Sequence, residues 1–146
     1  MSKEALPLAS KTKTRSTQPP RILVVDDEKS FAHLVEDYFK ARGWDVVVAL
    51  GSLEGFREAS RGRFDVITLD INMPEVSGVE AIRAMQLVGQ DARMVVVSGY
   101  LVDGVAGACR AAGTAAVLAK PVELAHLGDV VEELAGSPRR QGGGNR

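Results

Sequence analysis

Short apolar runs that stop abruptly at a polar residue are the feature that most constrains the fold of this chain. Four such runs occupy residues 22–25, 66–69, 94–97 and 116–119. The residues that directly follow them are Asp26, Asp70, Ser98 and Lys120. Short continuous apolar runs are typical of parallel strands that are buried on both faces of a sheet.

Amphipathic segments with helical spacing separate these runs. In residues 31–39 the apolar side chains recur at i, i+3, i+4, i+7 and i+8, and weaker versions of this pattern follow each later run. With a further strand at 44–49, the chain reads as five strand–helix units. This alternation predicts an α/β fold, a flavodoxin-like (βα)5 doubly wound parallel sheet with strand order 2-1-3-4-5.

Local signals mark the ends of the predicted helices. Ser30 and Ser52 are the predicted N-caps of the first two helices. A glycine stands at or near the end of every helix, where a left-handed residue can close the last turn. These glycines are Gly43, Gly62, Gly89, Gly113 and Gly136.

Charge and composition divide the 146 residues into one domain and two tails. Residues 1–20 carry a net charge of +3 and are rich in Ser, Thr, Lys and Pro, which predicts a disordered basic N-terminal tail. Residues 136–146 also carry +3 and contain three consecutive glycines, which predicts a flexible Gly/Arg tail. The globular domain at 21–135 carries −7, and an acidic domain of this kind is a poor nucleic-acid surface.

The expected location is the cytoplasm. The single cysteine, Cys109, forms no internal disulfide, which fits a reducing compartment, and a small buried apolar role is its expected one. No apolar run approaches the length of about 18 residues that spans a bilayer, and the N-terminus lacks the apolar core of a secretory signal.

The predicted topology brings acidic side chains from two strand ends to one crevice. In sheets of this type ligands bind outside the carboxyl ends of the strands. Three neighbouring carboxylates repel one another unless a proton or a cation intervenes, and Mg²⁺ is the natural cation for oxygen ligands. We expect Asp27 and Asp70 to bind Mg²⁺ directly, Asp26 to act through a bound water, and Asn72 to contribute its backbone carbonyl.

The same crevice holds the groups that phosphoryl transfer requires. Asp70 is the candidate nucleophile, since an aspartate can form an acyl phosphate. Charge on the phosphoryl oxygens would be spread over the metal, the Lys120 ammonium and the Ser98 hydroxyl. Gly99, without a side chain, leaves its backbone N–H free to approach.

Taken together, these stretches resemble the receiver domain of the two-component response-regulator family. The resemblance covers about residues 21–135 and is carried by residues 22–28, 69–74, 97–99 and the pair Lys120-Pro121. It implies Mg²⁺-dependent transfer of a phosphoryl group to Asp70 from a histidine kinase or a histidine phosphotransfer protein. It also implies that Ser98 is a switch hydroxyl, that Lys120 contacts the phosphoryl group, and that the bond to Pro121 is cis.

Two positions depart from the family pattern. Val117 stands where the family usually has a Tyr or Phe whose ring turns inward on activation. A valine has no ring that could provide this usual readout on the fourth helix, fifth strand and fifth helix. Ala115 and Ala116 stand where DNA-binding relatives that dimerise through this face are often acidic, so a salt-bridged dimer is not expected. Tyr100, two residues beyond Ser98, is a candidate shield that keeps water from the acyl phosphate.

The function predicted is a phosphorylation-controlled signalling switch, not an enzyme, without an attached output domain. Its expected partners are the phosphoryl donor and an unknown downstream protein, with no nucleic acid and no membrane. One alternative is an adaptor that binds proteins independently of phosphorylation, which Val117 favours. The other is an Asp-nucleophile phosphatase of the haloacid-dehalogenase type. That class needs a second Asp as general acid two residues after the nucleophile, and Asn72 at this position argues against it.

Overall fold

The computed structural model describes residues 18–76, 78–89, 91–99 and 101–136. These residues form five strands and five helices that alternate along the chain. The strands are β1 Arg21–Val25, β2 Asp45–Ala49, β3 Val66–Leu69, β4 Arg93–Ser98 and β5 Ala116–Ala119. The helices are α1 Lys29–Ala41, α2 Ser52–Arg61, α3 Gly78–Gly89, α4 Val105–Ala111 and α5 Leu124–Gly136.

The strands form one parallel sheet in the order β2-β1-β3-β4-β5, which confirms the predicted flavodoxin-like topology. β1 pairs with β3 in the register Ile22 with Val66 through Val25 with Leu69. The strand order reverses at this pair, so the crevice of the fold lies outside the carboxyl ends of β1 and β3.

Two apolar layers cover the two faces of the sheet. Successive strand residues alternate between them, as the pleat of a strand requires. Leu23 and Val25 face α2, α3 and α4, whereas Ile22 and Val24 face α1 and α5. Burial on both faces explains why these strands are continuously apolar instead of alternating.

The helix ends differ in detail from the predictions. The prediction of Ser30 as an N-cap is wrong, because α1 begins at Lys29 after the extended residue Glu28. Ser52 is also not an N-cap: Gly51 precedes the helix, and the buried Ser52 hydroxyl donates to Glu75 Oε1 at 3.2 Å.

The glycines at the helix ends fall into three groups. Gly43 and Gly113 have positive φ, as predicted for left-handed closure, with values of 89° and 104°. Gly62 follows α2 in an extended conformation with φ −131°, so its role in ending that helix is not the predicted one. Gly89 and Gly136 are the last residues of α3 and α5.

Close approach of α2 to β1 depends on Gly55. A Cβ at this position would lie 2.7 Å from Cγ1 and 2.9 Å from Cγ2 of Val25. Val25 is fully buried and its β-branched side chain is stiff, so the clash must shift the backbone. Val25 directly precedes Asp26, and Gly55 therefore fixes the distance between α2 and the strand that carries the acidic pair.

We expect Gly55→Ala to lower the free energy of unfolding by about 1–3 kcal/mol, because overpacking outweighs the gain in helix propensity. Gly107→Ala, within α4, is the matched control, because an added Cβ there meets nothing within 4 Å. The free energy of unfolding of that control should rise by up to about 1 kcal/mol, because alanine has the higher helix propensity. Denaturant titration of both variants measures whether the free energy of unfolding falls in Gly55→Ala and rises in Gly107→Ala. A stabilised Gly55→Ala would contradict the close packing of Gly55 on Val25.

Candidate functional site

Asp26 and Asp70 stand at the carboxyl ends of β1 and β3, one residue beyond each strand. The backbone N–H of Asp70 donates to the carbonyl of Val25 at 3.0 Å, and that of Asp26 donates to the carbonyl of Ala49 at 3.0 Å. These bonds continue the strand pairing, so both residues are fixed by the sheet. Both are buried, although each carries a carboxyl group.

The two carboxylates are oriented by the same local device. Asp26 Oδ1 accepts from the backbone N–H of Glu28 at 2.9 Å. Asp70 Oδ1 accepts from the backbone N–H of Asn72, also at 2.9 Å. A side chain that bonds the backbone two residues later forms an Asx turn. In each turn Oδ1 is used by this hydrogen bond, and Oδ2 is the oxygen that faces the crevice.

Lys120, one residue beyond β5, reaches into this crevice. Its Nζ lies 2.8 Å from Asp26 Oδ2 and 3.3 Å from Asp70 Oδ2. A third oxygen, Oε1 of Glu28, lies 3.0 Å from the same nitrogen. The ammonium has three hydrogen-bond donors, and three carboxylates from two loops surround it.

Glu28 is a neighbour of Lys120 that the sequence pattern did not predict. It directly follows the acidic pair, and 92 residues separate it from Lys120. Its position directly after Asp26 and Asp27 could have indicated this contact, because the loop that places two carboxylates at the crevice also contains Glu28.

The other predicted side chains are distributed around this centre. Ser98 is fully buried at the end of β4, and its carbonyl accepts from the backbone N–H of Lys120 at 3.0 Å. A Cβ added at Gly99 would lie 4.0 Å from Cβ of Lys120, so the backbone beyond β4 runs beside the lysine. The Lys120–Pro121 peptide bond is cis, the isomer that the resemblance implied.

Asp27, Asn72 and Val117 have different surroundings. The side chains of Asp27 and Asn72 are exposed at the crevice edge. Val117 is partly buried in β5 and packs on the core beneath α3 and α4. Tyr100 lies outside the described residues.

Burial and charge act in opposite directions on Asp26 and Lys120. Burial raises the pKa of Asp26 above its usual value, although hydrogen bonds from Lys120 and the Glu28 N–H oppose this. Burial alone would lower the pKa of Lys120, but its bonds to Asp26 and Glu28 prevail and raise it. Lys120 is therefore held as an ammonium over the whole physiological range of pH.

The donor set fits a divalent cation of the hard, oxygen-preferring kind. Carboxylate oxygens of Asp26, Asp27 and Asp70 all lie within 4.8 Å of one another. A single ammonium inside this cluster leaves two negative charges uncompensated in a partly buried place. Mg²⁺ takes one or two carboxylates and keeps several waters, which suits a site with one exposed and two buried carboxylates.

Comparison with known proteins places this geometry in context. Residues 22–132 match the family described as the response regulator receiver domain. The transcriptional regulatory protein PrrA of Mycobacterium tuberculosis is 37% identical over 125 residues, which is 84% of this chain and 52% of PrrA. The chain therefore spans about half the length of that curated relative.

Solved structures of similar chains share the fold. One is a response regulator of Burkholderia pseudomallei with a phosphorylated aspartic acid, a calcium ion and citrate. It is 28% identical with a TM-score of 0.72, over 80% of this chain and 68% of that one. Another is the receiver domain of the sensor histidine kinase PA1611 of Pseudomonas aeruginosa, with magnesium in its active-site cleft. It is 26% identical with a TM-score of 0.72, over 82% of this chain and 99% of that one.

Among the described residues, no helix is long and apolar enough to cross a membrane. The longest helices, α1 and α5, have 13 residues each.

Proposed function

This chain belongs to the response regulator receiver family of two-component signal transduction, and we propose that it is a switch that accepts a phosphoryl group on Asp70. The observation that carries the proposal is the contact of Lys120 Nζ with both Asp26 Oδ2 and Asp70 Oδ2. It brings an acceptor carboxylate and a fixed positive charge together at the strand ends. The donor we propose is a histidine kinase or a histidine phosphotransfer protein.

The transfer needs a nucleophile, charge neutralisation and a leaving group. An Asp70 carboxylate oxygen attacks phosphorus, the bond from phosphorus to the donor nitrogen breaks, and an acyl phosphate forms on Asp70. Lys120 moves its hydrogen bond from the carboxylate to a phosphoryl oxygen, and the Ser98 hydroxyl donates to another. When bound by Asp27, Asp70 and the Asn72 carbonyl, with Asp26 acting through a water, Mg²⁺ supplies the remaining neutralisation of phosphoryl charge.

Phosphorylation then changes the population of two surface states. Lys120 exchanges carboxylate partners for a phosphoryl oxygen, and Ser98 is drawn toward the same group. A ligand shifts such an equilibrium only by its differential contacts with the two states. We propose that a downstream protein reads the result, and that the protein works in the cytoplasm without contacting nucleic acid or membrane.

A small acyl-phosphate donor tests this proposal. With Mg²⁺, the protein should gain the mass of one phosphoryl group and release little inorganic phosphate from a chromogenic phosphate ester. Many turnovers of the ester would instead indicate the Asp-nucleophile phosphatase. The exposed Asn72 side chain argues against that class, because an amide is no general acid.

Mg²⁺ should stabilise the fold by mass action. At a concentration 100 times its Kd, we expect the free energy of unfolding to rise by about 2.7 kcal/mol. Asp27→Asn should lose most of this gain, because it removes a proposed direct ligand at an exposed position. Asp129→Asn, an exposed carboxylate on α5, should keep it. Denaturant titrations with EDTA and with Mg²⁺ measure the difference, and equal gains in both variants would contradict the ligand assignment.

A phosphorylation-independent adaptor is the second candidate, and Val117 is the residue that favours it. A branched aliphatic side chain has no ring to move between buried and exposed positions. A pull-down from the native cell with parent protein bound to a phosphoryl mimic and with Asp70→Ala separates the two functions. Equal capture of the same partner by both would favour the adaptor.

A further inference from the structure

The Lys120 ammonium lies over the face of an aromatic ring. Nζ of Lys120 lies 4.6 Å from the centroid of the Phe31 ring. A cation within about 6 Å of a ring face is attracted by the ring quadrupole. We propose that Phe31 is a positioning residue for phosphoryl transfer, and that it acts by holding the Lys120 ammonium beside Asp70. This inference rests on the proposed function.

The helix places Phe31 at the crevice for a simple geometric reason. Phe31, Val35 and Phe39 follow one another at i, i+4 and i+8 and share one face of α1. Val35 and Phe39 are fully buried on the sheet, and Phe31 packs partly buried on the same layer. Helical side chains lean toward the N-terminus of their helix, and the N-terminus of α1 lies at the carboxyl edge of the sheet. The ring therefore lies at the carboxyl edge of the sheet, where Nζ of the long Lys120 side chain meets it.

Phe31 differs chemically from the three carboxylates that contact this ammonium. Asp26 and Asp70 are carboxylates that a bound cation would engage. Glu28 is an anion that an incoming phosphoryl group would repel. The ring is neutral, accepts no strong hydrogen bond and binds neither metal nor phosphate. It is the contact that can persist when the other three change.

A lysine at such a site needs this restraint. Its four-carbon stem is flexible, and its rotamer entropy opposes a single placement. Transfer slows when a stabilising charge is misplaced by about 1 Å. Because the ring attracts the ammonium without competing for its hydrogen bonds, Lys120 remains beside Asp70 during the exchange of partners.

The test combines a rate with a metal-free spectroscopic signature. Phe31→Leu should slow labelling of Asp70 by an acyl-phosphate donor about 3- to 10-fold, the range that the loss of one cation–π contact gives. Phe31→Tyr keeps a ring and should restore the parent rate to within about twofold. Phe56→Leu, a partly buried phenylalanine on α2 outside the crevice, should label like the parent.

The Lys120 ε-methylene proton resonances report the contact directly in EDTA. A ring above the ammonium shifts them upfield, and the shift should be present in the parent and in Phe31→Tyr but lost in Phe31→Leu. In a Lys120→Ala background, Phe31→Leu should cause no further slowing, because a positioning residue has nothing left to position.

Three results would overturn the role of Phe31: an unchanged rate in Phe31→Leu, an equal further slowing in the Lys120→Ala background, or an unchanged lysine resonance. Absence of any labelling of the parent would overturn the proposed function as well. Labelling of the parent with a normal rate in Phe31→Leu would overturn the role of Phe31 alone.

Discussion

An Asp70→Asn protein is expected to fold and to take up no phosphoryl group from an acyl-phosphate donor in the presence of Mg²⁺. The amide lacks the anionic oxygen that attacks phosphorus. Its carbonyl oxygen can still accept from the Asn72 N–H, as Asp70 Oδ1 does at 2.9 Å. Loss of one charge also relieves the repulsion through which Asp70 raises the pKa of Asp26.

Intact mass after incubation with the donor measures this effect. Asp129→Asn is the matched control, because Asp129 is exposed on α5 and lies outside the acidic cluster. The parent and the control should each gain one phosphoryl group. Uptake by Asp70→Asn equal to that of the parent would mean that another side chain is the acceptor.

Lys120→Ala should slow the same labelling about 10²- to 10³-fold, the usual cost of removing one preorganised charge donor. The substitution removes the ammonium that lies 3.3 Å from Asp70 Oδ2. Lys120→Ala should, in contrast, strengthen the binding of Mg²⁺. Without the ammonium, the Asp26, Asp27 and Asp70 cluster carries more negative charge, and Mg²⁺ should bind more tightly.

Single-turnover labelling rates and a Mg²⁺ titration of stability separate these two effects. Lys40→Ala removes an exposed lysine on α1 that pairs with Glu36, and it should change neither quantity. Weaker Mg²⁺ binding together with slower labelling in Lys120→Ala would show that the variant had lost the geometry of the crevice, and would contradict a role for Lys120 in charge neutralisation alone.

The strand order and the meeting of the acidic residues were predictable because both depend on a pattern that the sequence displays. Continuous apolar runs such as 66–69 imply burial on both faces, and parallel strands place their ends on one edge. That edge carries Asp26 and Asp70 on neighbouring strands, and it carries Lys120 two strands beyond Asp70. The long Lys120 side chain spans this gap, and its Nζ contacts both carboxylates.

The contacts of Lys120 with Glu28 and Phe31 were not predictable in the same way. Contacts with Glu28 and Phe31 depend on where the first turn of α1 begins, and the serine signal placed that start too late. The N–H of Glu28 bonds to Asp26, so the chain has already turned before Ser30. The helical spacing of Phe31 predicts a residue on the core face of α1, and this spacing does not indicate a charged neighbour.

Ser52 illustrates a second reason why a prediction from the sequence was wrong. Serine before an amphipathic segment predicts an N-cap, yet here its hydroxyl donates to Glu75, 23 residues later. A tertiary partner replaced the local one. Glu75 lies in the loop that follows Asp70, so this bond ties that loop to the start of α2.

Chemical mapping of the acceptor is the most direct test of the central claim, that Asp70 receives the phosphoryl group beside Lys120 and a metal-binding acidic pair. Parent protein is treated with an acyl-phosphate donor and Mg²⁺, reduced with borohydride, digested and sequenced by mass spectrometry. An acyl phosphate on aspartate is reduced to homoserine, and the account predicts this conversion at position 70, dependent on Mg²⁺. Conversion at position 26 or 27, or equal conversion at position 70 in EDTA, would contradict it.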